Sequence, residues 1–117
     1  MRLLLVPLLL LTVQPAHAAG LLPDGVYGCT ISNMFLGAIE ISGNTYRGPA
    51  YDENWGDSYP LDVTDQGTIN WGGPLGGISD AGEVVSTVLG KSFGGKVGFD
   101  ITIRNDRGNF QTITCAP

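Results

Sequence analysis

All 18 glycines of this 117-residue chain fall at or beyond position 20, and they cut everything that follows into short pieces. A glycine inside a helix costs about 1 kcal/mol relative to alanine, so a chain broken this often does not sustain helices. No heptad and no apolar stripe of helical period appears after residue 22. Short β-branched and aromatic runs appear instead, punctuated by turn residues every ~8–12 positions. That pattern belongs to antiparallel all-β domains.

The runs are individually readable. Val26-Tyr27-Gly28-Cys29-Thr30-Ile31 opens the series. Phe35, Gly37, Ile39 and Ile41 alternate with Leu36, Ala38 and Glu40, and Ser42-Gly43-Asn44 turns the chain into Thr45-Tyr46-Arg47, a hairpin signal. Residues 48–57 read as a loop. Tyr59, Leu61 and Val63 form a short strand that Pro60 assigns to a sheet edge, because proline cannot donate to a ladder. Asp65-Gln66-Gly67 leads into Thr68-Ile69-Asn70-Trp71, and a glycine-rich loop follows at residues 72–77. Val84 to Leu89 and Lys96 to Arg104 are strand-like, Asn105-Asp106-Arg107-Gly108 is a second hairpin turn, and Phe110 to Cys115 closes the chain. The expected fold is a small all-β antiparallel barrel or sandwich of about seven or eight strands, with room for a short helical turn within residues 79–89. Gly37 and Gly98 suit a sharply coiled wall, where glycine relieves crowding.

The N-terminus reads as an address. Met1-Arg2 supplies a positive start, Leu3 to Val13 is nearly unbroken aliphatic, and Pro15-Ala16-His17-Ala18 offers a small-x-small cleavage pattern. The apolar run is about eleven residues, short of the roughly 20 that span a bilayer. Residues 1–18 are therefore expected to be a signal peptide and residues 19–117 one β domain, periplasmic or secreted. The mean hydropathy of +0.14 owes much to that leader. Its removal takes the chain to 99 residues and takes Arg2 with it, leaving five basic against eleven acidic groups, net −6.

Two exclusions follow. Clustered Lys/Arg is absent, so no nucleic-acid partner is expected. The single histidine, His17, leaves with the leader, which removes Ser-His-Asp and Cys-His catalysis and any His-ligated zinc or haem. Cys29 and Cys115 lie near the two ends of the mature chain and lack C-x-x-C spacing, so they read as a structural disulfide of an oxidising compartment. Such a bond places the first and last strands side by side.

Gly90-Lys91-Ser92 resembles the end of a phosphate-binding loop, but Val85 stands where the first glycine belongs and no helix follows, so it reads as a turn. Asp52, Glu53 and Asp57, with Asn54 and Asp62, provide hard oxygen ligands of the kind calcium takes. Their spacing misses the EF-hand pattern, and solvated surface carboxylates are the favoured reading. As a carboxylate pair on a sugar they lack the cleft such chemistry needs. The same loop is rich in aromatics. Tyr59 and Trp71 belong to the core, while Tyr51 and Trp55 are expected to be exposed, as rigid apolar area with a polar handle. The candidate binding residues are Tyr51, Asp52, Glu53, Trp55 and Asp57; no catalytic residue, metal or cofactor is expected.

Gly25-Val26-Tyr27-Gly28-Cys29, the Leu36 to Ile41 strand, Ile69-Asn70-Trp71 leading into Gly73-Pro74-Leu75, and Cys115 near the end resemble the layout of small exported bacterial β-barrel proteins of unassigned role. More distantly the chain is similar to periplasmic lysozyme-inhibitor and protease-inhibitor barrels. It lacks the serine- and glycine-rich inhibitory loop of the lysozyme inhibitors, so no functional residue carries over. The expectation is a non-enzymatic binding or inhibitor module acting through residues 48–57 and 72–80. Its negative charge favours a basic protein or peptide of the cell envelope. An apolar-ligand carrier and, behind it, a carboxylate-based hydrolase are the alternatives.

Overall fold

The structure, a computed structural model, describes residues 21–51, 54–91 and 94–117. The expected signal peptide lies outside the described residues, as do Asp52 and Glu53. Eight strands follow one another: β1 Gly25–Ile31, β2 Met34–Ser42, β3 Thr45–Ala50, β4 Tyr59–Val63, β5 Ile69–Trp71, β6 Glu83–Lys91, β7 Val97–Arg104 and β8 Phe110–Ala116, with one helical turn, α1 Gly77–Ala81, between β5 and β6. They form a single antiparallel sheet in the order β5-β4-β3-β2-β1-β8-β7-β6. Consecutive strands thus pair throughout except β5 and β6, which form the two ends of the sheet, and the first strand lies beside the last. The sheet is curled until its two ends nearly meet, where Thr68 bridges Val88 and Leu89 donates its N–H to Gly67 at 2.7 Å. The all-β expectation holds, and its open choice resolves to a barrel.

Turn chemistry explains the meander. Ser32 and Asn33 both sit at positive φ (47° and 68°), as a two-residue hairpin between right-twisted strands demands. At the β7–β8 turn the Asn105 side chain accepts the N–H groups of Arg107 and Asn109 at 3.0 Å each. Cys29 and Cys115 are direct partners in the β1–β8 ladder and form a fully buried disulfide. Gly98 is needed for the same contact: a Cβ there would stand 2.5 Å from the Cys115 carbonyl oxygen.

The barrel interior is solid. Tyr27 packs on Phe99, Phe99 on Trp71, Trp71 edge-on against Tyr46, and Tyr46 on Tyr59, a string of rings with centroid spacings of 4.8–5.9 Å. Ile39, Ile41, Ile101, Ile103 and Ile113 fill the remaining wall. Leu22 plugs one end; Leu75 and Ile78, on either side of the start of α1, plug the other.

Three expectations are corrected. Phe35 does not share a face with Ile39 and Ile41. A bulge places Cys29 opposite Gly37 but Thr30 opposite Phe35, so Leu36 turns to the core and Phe35 to the outside, over Gly28. The strand containing Pro60 is not an edge, since β4 lies between β3 and β5. Pro60 sits at the end of the β4–β5 ladder, where its carbonyl accepts the Gly72 N–H and no donor is required of it. Gly90 and Lys91 continue β6 rather than turning it.

Candidate functional site

An up-and-down meander sorts its connections between two ends. The connections β1–β2, β3–β4, β5–β6 and β7–β8 all emerge at one end, so residues 51–58 and 72–82 are neighbours there although the sequence separates them. This loop end also collects four of the eight large apolar side chains left exposed among the described residues. Met34, Phe35, Tyr51 and Phe110, exposed by 48–68%, all lie in or within two residues of these connections. A soluble domain leaves scattered apolar residues outside without consequence; several collected at one end mark an interaction surface.

The surface is built on a braced frame. Phe35 and Tyr51 meet edge to face at 5.9 Å, joining the β1–β2 hairpin to the start of the 51–58 loop. On the outer face, Arg47 pairs with its cross-strand partner Glu40 through its Nε at 2.8 Å, and its guanidinium lies 5.6 Å from the centre of the Trp55 ring. Trp55 is thereby half-buried and holds the loop against β3, while Asn54, Gly56 and Asp57 remain exposed. The 72–82 connection is anchored from inside, where buried Tyr46 donates its hydroxyl to the Pro74 carbonyl at 3.0 Å. Gly73 is required by a close approach: a Cβ there would fall 2.4 Å from the Tyr59 ring. Burial raises the titration of the Tyr46 phenol, with the neighbouring Tyr59 acting the same way and a hydrogen bond to Gly73 opposing. Burial likewise raises that of Tyr27, with the Asp24 carboxylate adding to it.

Beside the plug, the barrel wall is open. Among the described residues the seam between β5 and β6 is joined by the Thr68–Val88 bridge, with its Leu89 to Gly67 hydrogen bond, and by a side-chain bond, Trp71 Nε1 donating to the buried Thr87 Oγ1 at 2.7 Å. Beyond these two links a groove of about 630 Å³ separates the strands, lined chiefly by Asn70, Trp71, Ser79, Val84, Val85 and Ser86. It continues into a hollow of about 560 Å³ over Asp80, Glu83, Arg104 and Asp106.

Of the expected binding residues, Tyr51, Trp55 and Asp57 share one short loop at this end. Asp52 and Glu53 lie outside the described residues; among the described residues no group of three His, Cys, Asp or Glu gathers to hold a metal. Met34, Phe35, Phe110 and the β5–β6 groove were not anticipated. For Phe110 a signal existed, because Phe110, Thr112 and Thr114 alternate with the inward Ile113 and Cys115. Among the described residues no helix is long and apolar enough to cross a membrane. The chain matches no family model, and no curated protein or solved structure is significantly similar to it.

Proposed function

We propose that this chain is an exported, non-enzymatic binding or inhibitor module that presents the loop end of the barrel to a basic protein or peptide of the cell envelope. The observation that carries the reading is the gathering of Met34, Phe35, Tyr51 and Phe110 at the end that also bears Asp57, Asp80, Glu83 and Asp106. Apolar area supplies affinity and surrounding carboxylates steer a cationic partner. The disulfide fits an oxidising compartment, in keeping with the signal-like leader. The filled interior favours this reading over an apolar-ligand carrier, since the ring string from Tyr27 to Tyr59 occupies the space a ligand would need.

The test is retention of envelope proteins on the immobilised chain. A basic species is held at low salt, released as the Debye length shrinks from ~30 to ~10 Å, and lost from a Phe35→Ser/Tyr51→Ser double variant of unchanged melting temperature. Retention indifferent to both changes contradicts the reading, as does an empty column.

A further inference from the structure

We propose that the seam between β5 and β6 receives an extended, basic peptide segment as an added strand. The proposal rests on the binding reading above and names the partner's form. A barrel wall normally leaves no backbone edge unpaired. Here β6 is laddered to β7 along Glu83–Lys91, but among the described residues its other edge carries a single backbone bridge, Val88 to Thr68 just ahead of β5. Leu89 aims its N–H across the seam at Gly67, and strand alternation aims the Thr87 backbone the same way. Ahead of Thr87 the β6–β7 register shifts between Val84 and Ser86, leaving Val85 as an extra, half-exposed residue inside the groove. Bulges of this kind sit at edges and beside functional sites, where they re-aim a side chain. Across the groove, Asn70 and Trp71 form the end of β5, laddered to β4 alone.

An occupant must offer backbone hydrogen bonds, which an extended peptide does at every residue and a compact small molecule does not. Its charge follows from the groove's open end, where Asp80, Glu83 and Asp106 face one arginine, Arg104, already paired with Glu83 at 2.7 Å. Lysine or arginine side chains alternating with apolar ones meet these carboxylates while the apolar set covers Trp71 and Val85. A second copy of the chain is a poorer fit, since it would bring the same excess of carboxylates to the seam.

The chain carries two tryptophans, so a Trp55→Phe variant reports on Trp71 alone. The probe is a ten-residue peptide of alternating lysine and valine. It is compared with twins methylated on the backbone nitrogens of either the lysines or the valines, which keep the charge and composition. The parent is expected to shift Trp71 emission and to slow amide exchange at residues 84–87, and at least one twin to bind about tenfold more weakly or worse. Twins that both bind as tightly as the parent overturn strand addition. Shifts confined to Phe35 and Tyr51 also overturn it while leaving the loop-end reading intact, and so does absence of binding, because retention of envelope proteins is measured separately. Protection of residues 84–87 that grows with chain concentration, without peptide, would assign the seam to a second copy instead.

Discussion

Individual residues carry two kinds of constraint here, space and polarity. Gly98 and Gly90 are cross-strand partners, yet only Gly98 is crowded: a Cβ at Gly98 meets the Cys115 carbonyl, while one at Gly90 meets nothing within 4 Å. Gly98→Ala is expected to destabilise by about 1–3 kcal/mol through forced backbone displacement. Gly90→Ala is expected to be neutral or to stabilise by up to ~1 kcal/mol by restricting the unfolded chain. Urea denaturation of the two variants measures both. The buried phenols give a pH dependence. Tyr27 and Tyr46 titrate above their ordinary value of 10.0 in the folded protein, so folding favours their protonated forms. Their contribution is fully present below pH ~10 and is lost as pH rises through the folded values. Rapid melting at alkaline pH should show that loss, and a Tyr27→Phe/Tyr46→Phe variant should show a shallower alkaline decline than the parent. An alkaline limb unchanged by the double substitution would remove the phenols as its cause.

At the scale of elements, strand identity was readable because period-2 alternation and turn residues are local. Val97, Phe99, Ile101 and Ile103 face inward as their spacing required, and Tyr59 and Trp71 pack, partly buried, against the core. What escaped was set by register. The bulge that turns Phe35 outward depends on which residues of β1 and β2 pair, and the tolerance of Pro60 within an inner strand depends on where the β5 ladder stops. The α1 turn escaped in part because its buried residue, Ile78, joins the preceding Leu75 in plugging a barrel end that exists only once the eight strands have curled together. The cysteines were legible for a different reason: two cysteines leave only one intramolecular pairing. Their bond closes a loop of 86 residues across the β1–β8 ladder, and its removal is expected to cost about 4–5 kcal/mol on the chain-entropy model. A Cys29→Ala/Cys115→Ala variant should therefore melt far below the oxidised chain. A difference under about 1 kcal/mol would mean that the ladder, not the bond, holds the ends together.

For the whole molecule, topology does what no single motif could. The acidic, aromatic loop after β3 was visible from composition, but its neighbours were not, because residues 51–58 and 72–82 and the exposed Met34 and Phe110 come together only through the meander. The barrel also divides its labour. One pair of strands, β1 and β8, is laddered and covalently bonded, whereas β5 and β6 are held by a bridge and the Trp71–Thr87 hydrogen bond. The firm side supports the loops, and the loose side leaves a backbone edge open. Replacing Asp57, Asp80 and Asp106 by asparagine should slow association with a cationic partner severalfold at low salt and leave dissociation nearly unchanged, since exposed rim charges act on encounter; stopped-flow binding separates the two rates. On the proposed reading, the loop end is where a partner recognises this protein. Residue-resolved amide exchange of the chain, alone and with the basic envelope protein that the retention experiment is expected to yield, tests that reading most directly. Protection should appear at residues 34–35, 51–57, 72–87 and 110, with the opposite end, residues 43–44 and 64–67, unchanged. Protection centred on that opposite end would contradict the account.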